Sequence, residues 1–180
     1  DNYVMLNTQY RMHPDIQKAI NQFYRDEKNN EGLKCGLKNP DLEKCHQIQH
    51  KTFHKKHLVW LKTKKSDEES QHKGSSSFFN ESEIKRIKTT LDFLNKSYEK
   101  IEKKPSVGVI TFYGSQLSEL TSLEKKGFWR LPREDRNYPH LDIRFGTVDR
   151  FQGQEKDIII VSLVRNNKKH EVGFVKKPDI

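Results

Sequence analysis

Thr147-Val148-Asp149-Arg150-Phe151-Gln152-Gly153-Gln154-Glu155-Lys156-Asp157, followed at once by Ile158-Ile159-Ile160-Val161-Ser162-Leu163-Val164, carries the strongest structural signal in the chain. A polar loop with one glycine feeds directly into an unbroken apolar, largely β-branched segment. Such a segment reads as a strand buried on both faces, the mark of a parallel α/β sheet; a half-exposed strand would alternate apolar and polar residues. Open α/β sheets place their ligands beside such strands. The loop ahead of Ile158 is therefore the expected seat of chemistry.

Upstream of it, Val107-Gly108-Val109-Ile110-Thr111-Phe112 predicts a second strand and Ile143 to Val148 a third, with 157–164 the fourth. Asn80 with Glu83 three residues on has the form of a capping box. Ile84, Ile87, Leu91 and Leu94 behind it mark one face of an amphipathic helix, and Pro105 closes the connection. Gln116, Leu117, Leu120 and Leu123 predict another helix, up to Gly127. From Pro14, Ile16, Ile20, Phe23 and Tyr24 recur at helical spacing. His57-Leu58-Val59-Trp60-Leu61 predicts a short strand. Residues 63–79, with Gly74-Ser75-Ser76-Ser77, read as a mobile loop, and 128–140 as another loop. Strands alternating with helices give a parallel, right-handed α/β layer.

At 180 residues the chain is one domain, or one domain with a sizeable insertion. Its hydrophobic share, 32%, is low for a globule, and the deficit is uneven. Residues 107–113 and 158–164 are apolar, whereas 25–57, 62–82 and 128–140 are polar, which predicts a small core carrying polar inserts. Net charge is +9 with a pI near 9.4. That balance suits a polyanion, nucleic acid above all, and suits simple solubility equally well. Two cysteines, Cys35 and Cys45, make no disulfide framework. No apolar run approaches the roughly 18 residues of a membrane span, and no signal peptide opens the chain. An intracellular location is expected: cytoplasmic, or nuclear in a eukaryote. The chain is expected to be an excised part of something longer, since Asp1 is not a start methionine and no closing element precedes Ile180.

Gln9-Tyr10-Arg11-Met12-His13-Pro14 is the second focal point. An aromatic ring beside an arginine, just ahead of a helix N-terminus, suits stacking on a base and pairing with a phosphate. The same residues suit a core Tyr10 and Met12 with Arg11 a surface cation, and the chemistry by itself leans that way.

Taken in order and spacing, Gln9 to Pro14, Val107 to Gln116 and Thr147 to Arg165 resemble the second RecA-like domain of superfamily 1 helicases. The branch is that of the nonsense-mediated-decay and senataxin-type helicases and their bacterial relatives. The likeness covers nearly the whole chain, least in the polar inserts. It implies an α/β, RecA-like parallel sheet flanked by helices and lacking the phosphate loop itself. It further implies ATP with Mg²⁺ as cofactor, the metal's ligands lying in an N-terminal RecA-like partner domain. Tyr10 matches the aromatic that packs on the ATP base, and Arg11 the catalytic arginine that reaches the γ-phosphate. Gly153 matches the residue whose amide lies near that phosphate, and Glu155 the carboxylate that binds the ribose hydroxyls. Thr111 and Tyr113, with Gly114 beyond, match the segment that faces single-stranded DNA or RNA, as do Thr147, Asp149 and Gln152. Strand residues and a solvated charged run remain ordinary alternatives for Thr111, Thr147 and Glu155. Phe151 reads as a core anchor.

The sequence departs from a whole motor in three ways. It has no Gly-x-x-x-x-Gly-Lys-[Ser/Thr] loop and no acidic Mg²⁺ block. The family's final arginine motif, which should follow Gly173-Phe174-Val175, is expected beyond Ile180. By itself this piece is expected not to hydrolyse ATP.

Cys35, Cys45, His46, His50, His54 and His57 have no common zinc spacing, and no metal is assigned. Two further functions stay open. One is a non-catalytic nucleic-acid-binding module whose partner domain is degenerate. The other is a nuclease built on Glu102-Lys103-Lys104 and Asp92, disfavoured because those residues fall in a charged, helical region.

Overall fold

Thr8–Gln9 (β1) pairs in parallel with Lys34–Cys35 (β2), with Thr8 opposite Lys34 and Gln9 opposite Cys35. The computed structural model describes residues 6–25, 32–64, 66–125, 138–169, 171 and 173. It divides into two units, Asp1–Leu61 and Lys62–Ile180, each taken by itself below.

In the first unit, helix α1 (Pro14–Ile20) starts where the proline and the apolar spacing predict and runs into one 3₁₀ turn, Asn21–Tyr24. His13 caps it, its ring Nδ1 accepting the Asp15 amide at 3.2 Å. Side chains tie α1 to β2: Gln17 Nε2 donates to the Leu33 carbonyl at 2.6 Å, and Asn21 Oδ1 accepts from the Leu33 amide at 2.6 Å. A short helix α2 (Pro40–Glu43) follows. Leu33 and Ile48, both from the polar insert, are buried. The strand predicted at 57–61 does not form. Those residues are irregular, and Leu58 and Trp60 are exposed. Strand propensity expresses itself only where a partner strand supplies hydrogen bonds and a surface to pack on.

The second unit contains more order than its composition suggests. Within the stretch expected to be mobile, β3 (Ser70–Gln71) and β4 (Phe78–Phe79) form an antiparallel hairpin. The segment before it is anchored, since Glu69 pairs with Arg165 at 3.2 Å and both side chains are at most 10% exposed. Asn80 and Asn166 both donate to the Asp67 carbonyl at 2.9 Å. A run poor in apolar residues is ordered here by specific polar bonds.

Helix α3 (Glu81–Ile101) begins at Asn80, whose side chain accepts the Glu83 amide at 3.1 Å. It buries Ile84, Ile87, Leu91, Leu94 and Tyr98, the predicted stripe carried one turn further. Each wholly buried aliphatic side chain contributes roughly 1.5–3 kcal/mol. The helix stops at Glu102, which adopts the left-handed conformation with φ +56°. Half of the capping box is made. The Asn80 amide donates to Gln116 Oε1 at 2.8 Å, and the Glu83 carboxylate reaches the distant residues Ser162 and Val164.

The predicted parallel layer is present: β5 (Ser106–Thr111) lies between β6 (Asp142–Thr147) and β7 (Ile158–Ser162), parallel to both. Helix α4 (Gly114–Lys125) follows β5, and the single turn α5 (Val148–Phe151) follows β6. The register places Val107, Val109, Thr111 and Ser162 on one face, where Gln116 of α4 donates to Ser162 Oγ at 2.9 Å. On the other face the buried Phe151 ring lies against Gly108 and Gly146, and a methyl at either would come within 2.8 Å of it.

The reading of β7 as buried twice needs correction. Ile159 is 46% exposed, Val161 50% and Leu163 40%. Among the described residues the strand is bonded on one side, to β5, and its second face is only partly covered. Residues 126–137, which include the predicted helix end at Gly127 and most of the 128–140 loop, lie outside the described residues, as do Phe174 and Val175. No helix among the described residues is long and apolar enough to cross a membrane.

Candidate functional site

In the first unit, Gln9 builds the turn that carries the tyrosine–arginine pair. Its side-chain oxygen accepts the Arg11 and Met12 amides at 2.9 and 2.8 Å, and its nitrogen donates to the Met12 carbonyl at 3.0 Å and to Gln17 Oε1 at 2.7 Å. One side chain thus satisfies three backbone groups of a loop that would otherwise depend on water. The turn presents Tyr10, 67% exposed, and Arg11, also exposed. The Tyr10 ring rests on Gly36, where any β-carbon would collide with it. An aromatic face supported from behind by backbone and open in front is a stacking platform. Neither Gln9 nor Gly36 stands out as a site residue in the sequence. The signal for Gln9 lies in its place at the head of the motif, whereas nothing local marks Gly36.

Behind that turn sits a histidine cluster. His13, 7% exposed, accepts the Asp15 amide at Nδ1, so its Nε2 carries the proton and donates to Asp41 Oδ1 at 2.9 Å. The His57 ring stacks on His13 with centroids 3.6 Å apart, and His46 lies 5.2 Å from His57. His13, Asp41 and His57 bring ligand atoms within 4.8 Å of one another. Stacked imidazoles, however, direct their in-plane lone pairs side by side, and a metal ion needs them to converge. The arrangement reads as a hydrogen-bonded, stacked brace. Cys35 and Cys45 are free thiols.

Burial pushes the His46 and His57 imidazoles below their ordinary pKa, helped by the neighbouring histidines, while His13 and lesser neighbours hold the Asp41 carboxyl below its own. A histidine with a lowered folded pKa stabilises fully above its unfolded value, about 6.5, and that stability is lost as pH falls toward the folded value. His46 Nδ1 accepts the Ile48 amide at 3.1 Å, a bond that protonation destroys. Between pH 7.5 and 5.5 the Ile48 amide is therefore expected to lose hydrogen-exchange protection, after correction for intrinsic exchange, by roughly threefold or more. Unchanged protection across that range would contradict the role given to His46.

In the second unit, Gly153 takes φ +74° with open space around it, so the position needs glycine for its backbone angle. Around it Gln154 Nε2 donates to the Arg150 carbonyl at 2.8 Å, and Arg144 donates to Gln154 Oε1 at 3.0 Å. This braced turn leaves Asp149, Gln152, Gly153 and Glu155 exposed or half-buried and Thr147 half-buried at the end of β6. These five residues, each marked in the sequence, thus lie along one short segment from the end of β6 toward β7.

Thr111 and Tyr113 are placed differently. Thr111 is wholly buried, its hydroxyl accepting the Tyr113 amide at 3.3 Å. The Tyr113 ring is 6% exposed and edge-on to Phe78, and burial raises its phenol pKa. At this turn Gly114 is exposed.

A network that local sequence did not announce holds the carboxyl end of β7. Glu83 accepts the Ser162 hydroxyl at 2.6 Å and the Val164 amide at 3.1 Å, and Asn80 donates to the Val164 carbonyl at 3.1 Å. Val164, wholly buried, is held at φ +68°, an angle costly for a β-branched residue. Asp92, named in the nuclease reading, has its carboxylate engaged by Lys88 at 2.8 Å and by the Tyr138 hydroxyl at 2.7 Å.

Comparison with known proteins supplies the remaining step. A family model described as an AAA domain matches residues 1–179. Helicase sen1 of Schizosaccharomyces pombe is 31% identical over 174 residues, 96% of this chain and 9% of that protein. The Regulator of nonsense transcripts 1 homolog of Drosophila melanogaster is 30% identical over 181 residues, 96% of this chain and 13% of its own length. The DNA polymerase alpha-associated DNA helicase A of Saccharomyces cerevisiae is 38% identical over 125 residues, 67% of this chain and 16% of its own. The chain thus spans a small part of the relatives it matches. Its parallel sheet with flanking helices and these three likenesses agree, and the chain belongs to the superfamily 1 helicases, in the branch of the senataxin-type and nonsense-decay helicases.

Proposed function

We propose that this chain is the second motor domain of an ATP-dependent helicase or translocase acting on single-stranded DNA or RNA. The observation that carries the reading is the Gln9-braced turn, which offers an exposed aromatic platform beside an exposed guanidinium. Tyr10 stacks on the adenine, and Arg11 stabilises charge on the transferring phosphoryl group. Glu155 accepts from the ribose hydroxyls, and the amide of Gly153 serves the phosphate. Mg²⁺ bound with the nucleotide supplies charge neutralisation, and its ligands belong to an N-terminal RecA-like domain of the same protein. Thr147, Asp149 and Gln152 serve the strand's sugars and phosphates, which gives grip without sequence choice. Thr111 and Tyr113 hold the neighbouring turn in shape for that contact. Nucleotide-driven closing and opening of the two motor domains then alternates that grip and moves the strand in steps.

The test is ATP hydrolysis by the full-length protein with and without single-stranded oligonucleotide. Stimulation by the strand supports the motor. Binding of the strand with no hydrolysis would replace it with the non-catalytic binding module.

A further inference from the structure

We propose that the second unit carries an additional phosphate-binding site, which takes the backbone of the single strand away from the β6–β7 turn. It rests on the nucleic-acid reading above. A cavity of about 350 Å³ lies between the loop that precedes the β3–β4 hairpin and the side of α3. Lys64 and Asp67 line it from the loop, and Ser82, Lys85, Arg86 and Thr89 from successive turns of the helix. Helical geometry places residues three and four apart on one face, so these four form a single wall.

The decisive group is Arg86. Its Nε is buried and has no hydrogen-bond partner among the described residues. A charged N–H taken from water without a partner is costly, so Arg86 gains from an anion that draws its guanidinium toward the cavity. The neighbouring groups fit an anion. Among the described residues, Lys85 makes a long, exposed contact of 3.8 Å with Glu81. Thr89 is not a donor to a ligand, because its hydroxyl already donates to the Lys85 carbonyl at 3.0 Å. Asp67 opposes an anion, but its carboxylate accepts the Lys64 amide at 2.9 Å, and three cations line the same cavity. A planar guanidinium with two ammonium groups is the donor set for a phosphate group. A nucleic-acid backbone is the favoured source, because the chain carries net charge +9 and belongs to a helicase family.

The experiment uses the full-length protein and a fluorescent oligodeoxythymidine, with dissociation constants measured across a range of KCl concentrations. Arg86→Met, which keeps the aliphatic stem, and Lys85→Met are compared with wild type, alone and combined. The combined variant is expected to bind roughly tenfold more weakly at low salt, with a log–log salt slope shallower by about 0.7 for each phosphate the protein no longer neutralises. Its ATPase kcat at saturating oligonucleotide stays at the wild-type value while the oligonucleotide KM rises. Arg86→Lys recovers part of the affinity. If Arg86→Met unfolds, Lys64→Met with Lys85→Met reads the same slope. Unchanged affinity and slope in a folded variant overturn the proposal. So does a combined variant whose melting temperature inorganic phosphate no longer raises, as it raises that of the wild type, yet which binds oligonucleotide normally, since the cavity would then take free phosphate. A wild-type protein that binds no oligonucleotide defeats the nucleic-acid reading itself, a result distinct from wild-type-like variants of an active protein.

Discussion

Arg11→Ala in the full-length protein is expected to lower kcat for ATP hydrolysis by about a thousandfold or more, the range seen when an arginine on a transferring phosphoryl group is removed. The KM for ATP should move little, because the lost interaction strengthens only as charge develops. Arg11 is exposed on a turn whose shape is set by the Gln9 side chain, so the fold should not suffer. An unchanged melting temperature is the control. Arg11→Lys keeps the charge and loses the planar fork, and should recover only a small part of the rate. Oligonucleotide binding should persist in both variants. Full ATPase activity in Arg11→Ala would remove Arg11 from the chemistry.

Glu83→Ala should give a large loss of stability for a substitution of a polar side chain in the second unit. The change orphans two donors at once, the Ser162 hydroxyl and the amide of the wholly buried Val164. Their desolvation costs about 3 kcal/mol together, or roughly 6–12 °C in Tm for a domain of this size. The backbone at Val164 would also be free to leave φ +68°, shifting the next residue, Arg165, away from Glu69 and from the Phe78 ring 4.1 Å beneath its guanidinium. Glu83→Gln should recover about half of the loss, since an amide oxygen still accepts the Val164 amide. A Glu83→Ala protein within about 0.5 kcal/mol of wild type would behave like an ordinary surface substitution and refute the network's role.

Particular residues show where sequence reading succeeds. Asn80 as a helix cap, the Ile84-to-Leu94 stripe and the β5 and β7 strands are legible because each depends on neighbours within a few positions. The same locality explains the misreadings. Glu83 three residues after Asn80 satisfies the capping-box pattern, yet its carboxylate bonds residues 79 and 81 positions away. Residues 63–79 are too polar to form a core, so composition reads them as mobile. Their order comes from Arg165, Asn166 and Asn80, none of which composition can connect to them. The segment 57–61 has strand-forming residues and no partner strand.

Hydrophobic period, capping chemistry and contiguous motifs are properties of adjacent residues. The parallel α/β layer, the order of its elements and the two motif-bearing turns could therefore be read from amino-acid order alone. That Tyr10 rests on Gly36, that Thr111 and Tyr113 point inward, and that one face of β7 is about half exposed are facts of the folded chain. An apolar run states what would gain from burial. Which residues arrive to cover it depends on chain segments far away in sequence, and only the folded arrangement contains that information.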